Sequence, residues 1–193
     1  MTMNNTLTLE LWPATGNRAV RSATLAFAGV LLLAACSKIS IPFYPVPLTM
    51  QTFAVLTLGV AYGWRLGAST LLLYLAIGAA GVPLFAGEDG GAAVLFGGTG
   101  GYLLGFVLAA ALCGWLAERG WDRSFMKTAA AMLLGNVVIY VPGLLWLGHV
   151  HGWDKPILEW GLTPFVLGDL TKLALAATTL PLAWHFLNKR RGK

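Results

Sequence analysis

Two side chains of opposite charge stand inside a stretch that is otherwise apolar. They are Asp169 and Lys172, in Pro164-Phe165-Val166-Leu167-Gly168-Asp169-Leu170-Thr171-Lys172. Three residues apart, they share one face of a helix. A lone charge at the middle of a bilayer costs about 2.5–3.5 kcal/mol on insertion scales, so such a pair either compensates itself in the packing or lines a polar site. Gln51, Thr99, Tyr102, Asn136 and Tyr140 are further polar side chains within or at the ends of apolar runs. Together these groups suit binding. A lysine holds a carboxylate, while Asp, Asn and Gln pair with amide-like N–H and C=O groups. Tyrosine and phenylalanine cover an apolar middle. For Gln51, Thr99 and Tyr140 the competing role is a hydrogen bond between helices. The rival chemistry is an intramembrane enzyme with Asp169 as acid or base. Against it, the sequence has no second carboxylate at the same depth, no metal triad and no Ser/His nucleophile arrangement.

The elements that must carry these residues follow from composition. Of 193 residues, 57% are hydrophobic and 11% charged, which predicts a single-domain, all-α polytopic membrane protein. Residues 1–17 read as a flexible polar tail, and 189–193 as a basic one. Apolar runs cover about residues 23–35 (extending toward 39), 50–62, 67–80, 98–116, 128–147 and 165–186. Arg18, Arg21 and the sequence Leu33-Ala34-Ala35-Cys36 would also suit a cleaved lipoprotein signal, but everything after them is polytopic.

Between the first two runs, Pro42, Pro45 and Pro47 forbid a regular helix. Phe43, with Tyr44, is either an interfacial anchor or the lid of a pocket. A Gly-rich connection joins the third and fourth runs. Neither G-x-x-x-x-G-K-[ST] nor G-x-G-x-x-G aligns there, which excludes a phosphate loop. Cys36 and Cys113 lie in separate apolar runs without metal spacing. His149 and His151 are interfacial histidines or, with Asp154, a sparse metal site.

The basic surplus raises nucleic acid as a partner, but its distribution points to the lipid bilayer instead. With both termini inside, six transmembrane helices put Arg18, Arg21, Arg65, Arg119, Arg123, Lys127, Lys189, Arg190, Arg191 and Lys193 in the cytoplasm. That leaves Lys38 and Lys155 outside, ten against two, with Lys172 intramembrane. Asp169 and Lys172 then lie about 6–11 Å below the outer end of the last helix at 1.5 Å per residue. Gln51, Thr99 and Tyr102 fall near outer helix ends, Tyr140 in the outer half and Asn136 near mid-membrane. The expectation is a pocket open to the outside, under the Pro-rich and Gly-rich connections.

Four motifs in order resemble one family. They are Pro45-Val46-Pro47-Leu48-Thr49-Met50-Gln51-Thr52-Phe53, Gly81-Val82-Pro83-Leu84-Phe85-Ala86-Gly87, Gly98-Thr99-Gly100-Gly101-Tyr102-Leu103-Leu104-Gly105-Phe106 and Gly168-Asp169-Leu170-Thr171-Lys172. The chain is similar to the BioY family, the biotin-specific substrate-binding (S) components of energy-coupling-factor transporters. The resemblance implies a six-helix fold that binds biotin near the outer surface with Asp169 and Lys172 central, and no catalysis or cofactor. It also implies a membrane T component and two ATP-binding-cassette ATPases as partners, docked through small residues on the first helix, here Ala19 and Ala23. From side-chain chemistry, not from the motifs, Lys172 is expected to hold the valerate carboxylate, with Asp169 and Asn136 on the ureido ring. An S component for another vitamin is the alternative.

Overall fold

The computed structural model describes residues 6–12, 17–87 and 90–190. Helix α1 (Leu7–Leu11) precedes α2 (Arg18–Lys38), which is followed by strands β1 (Ser40–Ile41) and β2 (Leu48–Thr49). Next come α3 (Gln51–Tyr62), α4 (Trp64–Ala79), α5 (Ala92–Phe96) and α6 (Gly100–Ala117). A 3-10 turn (Trp121–Arg123) leads to α7 (Phe125–His151), α8 (Ile157–Gly161) and α9 (Thr163–Arg190). Four of these segments are long and apolar enough to cross a membrane: Arg18–Lys38, Gly100–Ala117, Phe125–His151 and Ile157–Leu187. The apolar helices α3 and α4 are shorter, about 18 and 24 Å at 1.5 Å per residue. Alone, neither matches a hydrocarbon core of about 30 Å.

Helix α6 occupies the centre, with Ala109, Ala110 and Cys113 fully buried. Its contact with α7 is made by residues that lack side chains. A Cβ at Gly101 would lie 2.3 Å from the Pro142 carbonyl oxygen, and one at Gly105 would lie 2.8 Å from Ile139 Cα. From the other side, a Cβ at Gly143 would meet the Tyr102 ring at 2.4 Å. Backbones this close are the usual device for joining helices where no hydrophobic force separates helix from lipid. Outward faces stay apolar: Phe27 and Leu31 on α2, Val137 and Val141 on α7, and Leu167 and Leu170 on α9 are all exposed.

The ends depart from the sequence reading. Part of the expected tail is folded: Leu7 is buried, Thr8 Oγ1 donates to the Ala61 carbonyl (2.9 Å), and Arg21 donates to the carbonyls of Trp12 (2.8 Å) and Thr8 (2.9 Å). These bonds hold α1 against the end of α3. The remainder of that tail, residues 1–5 and 13–16, and residues 191–193 of the basic tail lie outside the described residues. Asn17 caps α2, accepting from Ala19 N (2.9 Å) and Val20 N (3.4 Å), so the helix starts earlier than its apolar run. Ala19 and Ala23 both lie on it, exposed.

Asp122, in the charged connection between α6 and α7, is buried, and Trp184 Nε1 of α9 donates to its Oδ2 at 2.5 Å. Burial raises its pKa, since desolvation penalises the carboxylate more than Trp184 and Arg123 favour it.

Two outcomes are expected of thermal unfolding in detergent. Gly101→Leu should lower the midpoint, since overpacking typically costs about 1–3 kcal/mol. Gly97→Ala, whose Cβ would meet nothing closer than 3.5 Å, should leave it unchanged. For Asp122, a folded pKa above the unfolded one means its contribution is full at acid pH and lost as pH rises through the folded value. The midpoint of Asp122→Asn relative to wild type should therefore rise between acid and neutral pH.

Candidate ligand-binding site

At the end of the bundle opposite α1, the helices part around a cavity of about 660 Å³. That is within the range of about 300–1,000 Å³ common for small-molecule sites. Its roof is the Pro-rich segment. The sequence suggested an irregular loop there, but the segment closes as a hairpin, with Ser40 opposite Thr49 and Ile41 opposite Leu48. Its prolines all fall between the strands, where no ladder hydrogen bond is lost. A second wall is drawn from residues 85–87 and 90–99 and includes α5, a helical turn that the glycines concealed in the sequence.

Six of the eight expected binding residues line this cavity: Phe43, Gln51, Thr99, Tyr102, Tyr140 and Lys172. Tyr102 presents its ring, because its hydroxyl donates to the Gly161 carbonyl (3.0 Å). Tyr140 packs edge-on to Tyr102 (ring centroids 6.2 Å apart) and beside Phe165 (6.4 Å), so the three form an aromatic wall.

Asp169 and Asn136 do not line the cavity. Both border a separate pocket of about 10 Å³ between α3, α7 and α9, which Lys172 and Thr52 also touch. Asp169 is 5% exposed and its oxygens are already engaged. Oδ2 accepts from the Tyr140 hydroxyl, while Oδ1 accepts from Thr52 Oγ1 (3.1 Å) and Lys172 Nζ (3.0 Å). Asp169 thus meets Tyr140, Thr52 and Lys172 rather than the cavity itself. Asn136 Oδ1 is buried without a hydrogen-bond partner.

Lys172 sits where cavity and ion pair meet. Besides Asp169, Nζ donates to the Thr49 carbonyl (2.8 Å) and to Thr52 Oγ1 (2.9 Å). An ammonium has three protons to give, and here each has an acceptor. One of those acceptors belongs to strand β2 of the roof. Thr52 was passed over in the sequence in favour of its neighbour Gln51. Only tertiary packing shows that its hydroxyl accepts from Lys172 while donating to Asp169.

Among the described residues, no carboxylate, imidazole or thiol lines the cavity, and no cluster of three metal-ligating side chains occurs. His149 packs near Trp146 and His151 near Trp160. Two residues apart on a helix, the histidines do not face each other. What the site can do is enclose a largely apolar molecule, meet an anionic or carbonyl oxygen at Lys172, and offer amide and hydroxyl groups around it.

Known proteins are similar to this chain in sequence and fold. The family model described as "BioY family" matches residues 3–189. Curated relatives include a protein named biotin transporter BioY from Thermotoga maritima, 44% identical over 72% of this chain and 81% of its own length. Another, named biotin transporter BioY2, from Lactococcus lactis, is 36% identical over 86% of this chain and 91% of its own length. The crystal structure of the S-component for biotin from an ECF-type ABC transporter superposes with a TM-score of 0.72 at 24% identity. The likeness covers 93% of this chain and 95% of that one, and it fixes the fold. With nearly its whole length matched by the family model, the chain belongs to the BioY family.

Proposed function

We propose that this chain captures biotin at the outer face of the cell membrane as the substrate-binding component of an uptake transporter. In this reading all six apolar helices span the bilayer, with both termini in the cytoplasm, as the ten-against-two distribution of basic residues supports. The two short helices complete the span by tilt or through the connections at their ends. A membrane T component and ATP-binding-cassette ATPases supply the energy. The name of the structural neighbour supports such an assembly, and Ala19 and Ala23 at the exposed start of α2 are the proposed docking positions.

One observation carries the ligand assignment: an ammonium, Lys172, set in the wall of a cavity otherwise lined by aromatic, aliphatic, amide and hydroxyl groups. Biotin has a carboxylate at one end, a ureido ring at the other and an apolar body between. Lys172 receives one polar end by exchanging its bond to the Thr49 carbonyl for a bond to the ligand. Gln51, Thr99 and the aromatic wall receive the rest. Asp169 stays behind Lys172 and Tyr140 and sets their positions. Competition by unlabelled vitamins separates this reading from an S component for another solute.

Equilibrium binding of radiolabelled biotin to the detergent-purified chain tests the site. Losing a buried charged partner costs upwards of about 1–3 kcal/mol, so Lys172→Ala and Asp169→Asn should each weaken binding at least about tenfold. Asn136→Ala should stay near wild-type affinity. Unchanged affinity in Lys172→Ala would remove that residue from the site.

A further inference from the structure

Tyr74 of α4 is fully buried and lies outside the cavity, yet it bonds to Gln51 in the cavity lining and to Leu84, which immediately precedes the wall residue Phe85. Its hydroxyl lies 2.8 Å from the Leu84 carbonyl and 2.8 Å from Gln51 Nε2. A phenol has one proton to give, and a carbonyl can only accept. The Tyr74 proton therefore goes to Leu84, and Tyr74 must accept from Gln51. Only the NH₂ end of the amide can fill that place. Gln51 Oε1 is thereby turned toward Thr49, whose hydroxyl is 3.4 Å away, too long for a strong O–H···O bond. Thr49 and Gln51 both line the cavity, so this carbonyl oxygen keeps capacity to accept.

The far end of this relay is held firmly. Ser37 Oγ also donates to the Leu84 carbonyl (2.7 Å), and Lys38 Nζ donates to the carbonyls of Phe85 (2.9 Å) and Gly87 (2.5 Å). The Phe85 ring stands edge-on to Tyr74 at 5.5 Å and fills the space a Cβ at Gly78 would need.

We infer that Tyr74 is a positioning residue that sets the polarity of the Gln51 amide, so that Gln51 presents a carbonyl acceptor to a ligand N–H. Resting on the biotin reading, this gives the ureido N–H as the group that Gln51 recognises. Tyr74→Phe keeps the ring and its packing but frees the amide to rotate.

The test is equilibrium binding to the full-length chain in detergent, using biotin and its two analogues methylated at one or the other ureido nitrogen. Wild type, Tyr74→Phe, Gln51→Ala and the double variant are compared, with thermal midpoints as the check on folding. Expected is a three- to tenfold loss of biotin affinity in Tyr74→Phe, in line with the loss of one hydrogen bond. The preference of wild type for biotin over at least one analogue should shrink in that variant, and Tyr74→Phe should cost nothing further in the Gln51→Ala background. Wild-type affinity in Tyr74→Phe would overturn the inference. So would an equal loss with and without Gln51, which would mean that Tyr74 acts through packing alone. A well-folded wild type that binds no biotin would overturn the functional reading itself, and this inference with it.

Discussion

The structure depends on holding an ammonium and a carboxylate out of water. Lys172 and Asp169 are 11% and 6% exposed at their side chains, and Nζ sits 3.0 Å from Oδ1. Removing two such ions from water costs several kcal/mol each, repaid only when geometry is good and the remaining protons and lone pairs are satisfied. Here the repayment draws on three helices and the roof. Tyr140 comes from α7, Thr52 from α3, the pair itself from α9, and the Thr49 carbonyl from β2. The same requirement that stabilises the pair therefore draws together the elements that surround the cavity.

This arrangement ties recognition to the state of the roof. A group arriving at Lys172 meets no idle proton and must exchange with a partner. One of those partners is a backbone carbonyl of the hairpin that covers the cavity. In the proposed reading, filling the site and loosening the bond between Thr49 and Lys172 would be one event. The segment from Leu84 to Gly87, which leads into the second wall, is tied by Ser37, Lys38 and Tyr74, all on helices rather than loops.

Much of the fold was legible because hydropathy in long apolar runs reports directly on helices that cross a membrane. Boundaries were less so. The buried turn at Leu7 depends on contacts with α2 and α3 that no local pattern announces, whereas the cap at Asn17 is a local signal that stands several residues before the apolar run. In the site, the polar residues Gln51, Thr99, Tyr102, Tyr140 and Lys172, picked out by type, line one cavity. Residue type and depth could not separate the inner layer from the lining. Asp169 and Lys172 share a helix face, as their spacing requires, yet the longer side chain reaches the cavity and the shorter one stays behind it. Thr52 and Tyr74 were missed for a related reason. A lone threonine or tyrosine in an apolar helix usually hydrogen-bonds within the protein, and only its partners show what that bond controls.

The bare seam between α6 and α7 bears on how such a sequence can drift. Gly101, Gly105 and Gly143 each face backbone or a ring where even a methyl group has no room. The outward faces of α2, α7 and α9 ask only for apolar character, so their residues can exchange freely among Leu, Val, Ile and Phe. Substitution should therefore run fast on the lipid-facing surface and nearly stop along one narrow stripe. For chains that keep this backbone, three absent side chains mark the lineage more durably than the bulky residues around them.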